Sequence, residues 1–205
     1  MSVTAVLYWR SRGLVSLAGS FLFVGLACWR VPLSPIPNIV SDVRLAVVSG
    51  LPGLASGIFF SVLLANPLPE LEATAIRWRL TALRGSWLGL ALVGFVAVGA
   101  LGFWVRGSGG QYVMGHARDC ALGLGLGAVS GCWLPRHIAW LPATAYVVAC
   151  WLGGVVDLNG TPAWWAFPCY RSESLNAALA AAVILCAGGL VYLARDGWPL
   201  VGAAE

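Results

Sequence analysis

The chain contains no lysine; all twelve of its cations are arginine. A Walker A loop needs a lysine on the nucleotide phosphates, so the chain is not itself a P-loop ATPase, and no Schiff-base chemistry is open to it. Charge of either sign is scarce, at 10% of 205 residues, while 60% are hydrophobic. No dense basic run exists, which argues against nucleic acid as a partner. The six cysteines (Cys28, Cys120, Cys132, Cys150, Cys169 and Cys186) form no CxxC pair and no metal-site spacing. Most of them fall in apolar runs, where cysteine serves as a small apolar residue. Cys169 is the exception, in a polar loop; a bridge from it to Cys28 or Cys120 would be compatible with their shared membrane face.

What is present is a series of long apolar runs with no Asp, Glu, Arg or His in their interiors. They lie at about 13–29, 45–65, 85–105, 120–134, 138–156 and 175–194. Most approach the ~20 residues that a helix needs to cross ~30 Å of hydrocarbon. These runs predict an all-α polytopic membrane protein, a single transmembrane domain over 1–205 with six spans, located in the cell membrane. The pieces between spans are too short for a folded soluble domain. Spans without buried ionisable groups lack the usual marks of proton relays or ion pathways, so the chain is expected to draw driving force from elsewhere.

Arginine counting places Arg10, Arg12, Arg77, Arg79, Arg84, Arg136 and Arg195 on one side, against Arg30, Arg44, Arg106, Arg118 and Arg171 on the other. That bias puts both termini in the cytoplasm. The outer loops are then Val31–Asp42, rich in proline, Arg106–Asp119, Gly-rich and polar, and Asp157–Ser174. The last carries Trp164, Trp165, Phe167 and Tyr170, an aromatic set suited to the membrane interface. Pro52 and Pro142 are expected to kink the second and fifth spans.

Small residues recur at helical spacing. Gly123, Gly127 and Gly131 lie four apart in the fourth span, and Gly53 and Gly57 pair in the second; Gly99 and Gly102 close the third. Such faces let helix backbones approach closely in lipid, either within one bundle or at a seam between subunits.

The most informative polar segment joins spans two and three: Asn66-PLPELEATAIRWRLTALR-Gly85. Pro67 and Pro69 stop the preceding helix, and Pro69 suits the first turn of a new one. Glu70 and Glu72 complement its positive end, and Arg77, Arg79 and Arg84 its negative end. Leu68, Leu71, Ala75, Ile76, Leu80 and Leu83 supply an apolar stripe. A short amphipathic helix over 69–84, lying on the cytoplasmic face, is the expectation.

Six spans, both termini inside, a short N-terminal piece (Met1–Arg12), a helical loop between spans two and three and an aromatic outer loop before the last span together resemble the membrane subunits of type-two ABC exporters. The run from Pro69 to Arg77 is also similar to ABC permeases of actinobacteria. The resemblance implies a permease half of an export pump, with a separate cytoplasmic ABC ATPase and a second permease subunit, identical or homologous, as partners. It implies that 69–84 is a coupling helix whose Glu70, Glu72, Arg77, Arg79 and Arg84 contact the ATPase. Substrate would pass along the subunit seam under a gate of Trp164, Trp165, Phe167 and Tyr170. No cofactor, metal or catalytic residue is expected, and the chain is not read as an enzyme.

Other readings fare less well. Ala128-Val129-Ser130-Gly131 comes close to a rhomboid-type nucleophile motif, yet the sixth span has no histidine to serve as base. His116, Asp119 and His137 would have to reach a metal from opposite faces, and His116, Arg118 and Asp119 are expected to be solvated loop residues. A secondary transporter, and a membrane protein with a scaffold, immunity or assembly role, remain as alternatives.

Overall fold

A computed structural model describes residues 14–30, 42–64, 77–105, 110–135, 137–154, 162–170 and 174–194. These residues are all-α: helices α1 (Leu14–Arg30), α2 (Asp42–Leu64), α3 (Arg77–Val105), α4 (Gly110–Trp133), α5 (Leu141–Gly153) and α6 (Leu175–Ala194), with a 3-10 turn at Phe167–Cys169 before α6. Each of the six apolar segments read from the sequence falls on one helix. Two of them, Leu80–Val105 and Leu175–Ala194, are long and apolar enough to cross a bilayer; α1, α2 and α5 carry shorter apolar stretches.

α4 is the centre of the bundle, packed between α2 and α6, while α1 lies along α3. The α2–α4 contact is close because it is made of glycine. A side chain on Gly57 would run into the backbone of Gly123, and one on Gly127 into the backbone of Gly57. Gly131 faces Ser61 and Leu64. On the opposite side of α4, Gly125 and Gly188 of α6 are apposed in the same way. The glycines of α4 therefore join helices of one chain, the arrangement expected where lipid supplies no hydrophobic drive between helices and close van der Waals contact must do so. Around this ridge, Phe60, Trp87, Phe95 and Phe103 are fully buried, and Phe21 meets Phe95 edge-on at 4.8 Å.

Three expectations change. The segment 110–119 is not a loop: α4 begins at Gly110, ten residues before the apolar run. Tyr112, Val113, His116 and Cys120 explain this, since they follow helical spacing and put an imidazole on the core-facing stripe. The helix expected over 69–84 does not end before the third span. Residues 77–84 are the first turns of α3, which runs unbroken to Val105; Gly85 is tolerated inside it because single glycines cost a helix only ~1 kcal/mol. Pro142 does not kink the fifth helix but lies in its first turn, where its missing N–H has no intrahelical partner to lose; residues 137–140 form a turn ahead of it. Pro52 does lie inside α2.

Candidate functional site

The charged group that the apolar runs hide is built on the first half of α4. His116 is 2% exposed, Arg118 7% and Asp119 2%. Removing such groups from water costs several kcal/mol per ion, even after relaxation, so each must be held by specific partners.

His116 fills a slot cut in α3. A side chain on Gly99 would overlap its imidazole ring, so the glycine is what admits it. Nε2 lies 3.1 Å from the Phe95 carbonyl and 3.3 Å from the Cys120 thiol, one helical turn on. Nδ1 lies 3.7 Å from the thiol of Cys28 at the end of α1. Phe103 meets the ring edge-on at 5.8 Å. The donor to Phe95 is then the Nε2–H tautomer, which leaves Nδ1 as an acceptor for the Cys28 thiol.

Arg118 and Asp119 are neighbours in sequence, and consecutive helical positions do not face one another. The long arginine side chain bends back so that Nε donates to Asp119 Oδ1 at 2.9 Å. Its Nη1 donates to the carbonyl of Tyr170 in the loop before α6, at 3.1 Å. Opposite Asp119, α2 presents Gly53: a Cβ there would stand 2.8 Å from the Asp119 Cβ. The site thus draws on α1, α2, α3, α4 and the loop before α6.

His116, Cys28 and Cys120 do not converge on one point, because the two sulfurs approach opposite nitrogens of the ring. Among the described residues, no three His, Cys, Asp or Glu side chains are arranged to hold a metal. What the group can do chemically is accept or release a proton at His116 or Asp119.

The other residues singled out from the sequence are placed as follows. Glu70 and Glu72 lie outside the described residues. Arg77 and Arg79 are on the first turn of α3. Arg84 is not at the surface: it is 3% exposed, with Nη1 3.5 Å from the Tyr192 carbonyl of α6 and its guanidinium 5.9 Å from the Tyr192 ring. An aromatic face and a helix-end carbonyl both favour a cation, and together they draw Arg84 between α3 and α6. Gly99 serves the histidine, and Gly102 faces the Gly25 carbonyl and Cys28 of α1; with Gly123, Gly127 and Gly131, all five make contacts inside the chain. Trp164 stands out from the loop before α6 at 80% exposure, while Trp165, Phe167 and Tyr170 are half-buried. The loop is tied down by Tyr146, whose hydroxyl donates to the Trp165 carbonyl at 2.8 Å, and by Ala163 N–H, which donates to the Gly154 carbonyl at 2.8 Å. Ser130 donates to the Leu126 and Gly127 carbonyls of its own helix, the usual satisfaction of a buried hydroxyl. Cys169 does not meet Cys28 or Cys120; it lies against Cys150, and its buried thiol is pushed up to about 12 by desolvation.

Sequence reasoning missed the buried group because 110–119 is polar and Gly-rich in composition. The readable signal was the three- and four-residue spacing of Tyr112, His116, Asp119, Cys120 and Gly123. Comparison with family models, with curated proteins and with solved structures finds no match to this chain.

Proposed function

We propose that the chain is a six-span integral membrane protein with both termini in the cytoplasm, and that it is the permease subunit of an ATP-driven export complex. The observation that carries this reading is the length of α3. Its 29 residues span about 43 Å at ~1.5 Å per residue, against ~30 Å of hydrocarbon. The excess is the charged end with Arg77 and Arg79. A partner that pushed on that end would act on one continuous helix, whose far half holds Gly99 against His116. Arg84 would carry the same displacement to α6 through Tyr192. The outward faces fit a lipid environment, since Leu22, Phe23, Val93, Leu101, Val183 and Leu190 are all exposed. A second permease subunit and an ABC ATPase complete the complex in this reading.

The test is purification of the tagged protein from native membranes in mild detergent, with mass spectrometry of what accompanies it. The expected result is a stoichiometric P-loop ATPase. Reversing Arg77 and Arg79 to Glu should weaken its retention about tenfold, the effect of ~1.4 kcal/mol, with membrane insertion unchanged. Retention equal to wild type would end the coupling role.

A second reading follows from one specific observation. Ionisable groups buried among apolar helices mark ion and proton pathways, and His116, Arg118 and Asp119 are such a group. An ion-coupled secondary transporter would use them directly. It would come through purification without an ATPase and lose transport in the double variant Arg118→Met with Asp119→Leu, in which no uncompensated buried charge remains.

A further inference from the structure

Cys150 and Cys169 come from different elements and end in one buried cluster. Cys150 lies in the last turn of α5 and Cys169 closes the 3-10 turn of the outer loop; Ala163, Ala166, Tyr146 and Trp165 pack around the two. The Cys169 sulfur sits 3.7 Å from the Cys150 carbonyl. It is admitted there by Gly154, where a Cβ would stand 2.6 Å from that sulfur. The Tyr146 hydroxyl, one turn before Cys150, is bonded to the Trp165 carbonyl of the same loop. The loop is therefore drawn down so that the two thiols share a pocket. Cys28 and Cys120 differ, because the His116 ring stands between them.

We propose that Cys150 and Cys169 are joined by a disulfide in the cell, stapling the aromatic outer loop to the end of α5. The inference rests on the reading above that this loop faces the non-cytoplasmic side, where disulfides form and persist. The oxidant is the disulfide of a thiol–disulfide oxidoreductase. One cysteine thiolate attacks it, forming a mixed disulfide and releasing one donor thiolate. The second cysteine thiolate attacks the mixed disulfide, closing the Cys150–Cys169 bond and releasing the other donor thiolate. The two S–H protons pass to the donor sulfurs or to water; the cysteine pair loses two electrons and the donor gains them. Burial holds the Cys169 thiol up to about 12, so little thiolate exists once the loop is seated. The bond forms as the chain inserts, before the loop closes.

The full-length chain carrying a C-terminal green fluorescent protein tests this. Membranes are acid-quenched, denatured in SDS so that buried thiols react, and alkylated with or without prior reduction; peptides are then mapped by mass spectrometry. The expected result is that Cys150 and Cys169 resist alkylation until reduced and are recovered as one linked peptide lighter by two hydrogens. Cys169→Ser should free Cys150 to full labelling. Complete alkylation of both cysteines without reductant, or linkage to any other cysteine, would overturn the disulfide. Fluorescence, which requires a cytoplasmic C-terminus, reports the topology separately. Free thiols with a bright fusion sink the bond alone, and free thiols with a dark fusion sink the bond and the orientation together. A linked pair with a dark fusion would overturn the inference as argued, because the loop would then face the reducing cytoplasm.

Discussion

α3 and α4 each carry arginine near their N-terminal ends, and they treat it in opposite ways. In α3, Arg77 and Arg79 precede the apolar run, and Arg84 at its edge is taken up by an aromatic ring and a carbonyl of α6. In α4, Arg118 is eight residues into the helix and bonded to a buried carboxylate and to the carbonyl of a distant loop. Arg84 reaches its polar partners on α6 by extending its side chain. Arg118 and Asp119 form an ion pair among the helices, and its geometry must be built by the surrounding fold. The difference teaches that one buried cation is held by an aromatic face and a carbonyl, whereas the buried group of α4 is seated by glycines on the facing helices.

That comparison can be broken by mutation. The largest effect belongs to the buried pair. Arg118→Met leaves Asp119 without its counter-charge and should destabilise the fold by about 3–5 kcal/mol, read as thermal or denaturant unfolding in detergent. The double change Arg118→Met with Asp119→Leu should recover most of that loss, because the uncompensated charge is gone. A double variant as unstable as the single would mean that the carbonyl tie to Tyr170 matters more than the ion pair.

Next comes the close approach that seats α4. Gly57→Ala drives a methyl into the Gly123 backbone and should cost about 1–3 kcal/mol. Gly89→Ala on the open face of α3, where nothing lies within 4 Å, should be neutral or stabilising by up to ~1 kcal/mol. Equal effects at the two sites would remove the case for a glycine seam.

The smallest effects are at the loop before α6. Tyr146→Phe deletes the bond to the Trp165 carbonyl and should cost about 0.5–1.5 kcal/mol. Trp164→Ala, at a fully outward position, should change stability by less than ~0.5 kcal/mol. A large loss on Trp164→Ala would show that this ring has contacts beyond those of the single chain.

Much of the helical layout was legible in the chain itself. The apolar run at 175–194 matches both ends of α6, and the run at 85–105 matches the C-terminal end of α3, because a stretch of that length and hydropathy has no lower-energy state than helix when water is absent. The fourth run was legible only in part. From 120 onward its composition is apolar, but before Cys120 the charges are read as loop by any argument that counts polarity alone. The site was least legible of all. Gly99 and Gly53 give no sign in sequence that one receives His116 and the other faces Asp119, since a missing side chain carries no information about what will occupy its space.

By itself the sequence determined the all-α class of the described residues, the small-residue ridge of α4 and the charged start of α3. These depend on periodicity and composition along one segment. Only the tertiary structure decided that the ridge of α4 joins α2 and α6 of the same chain, that Arg84 turns inward to Tyr192, that Cys169 meets Cys150, and that His116, Arg118 and Asp119 are buried together. Each of those depends on which helix lies opposite, and that is settled by the packing of the whole bundle at once.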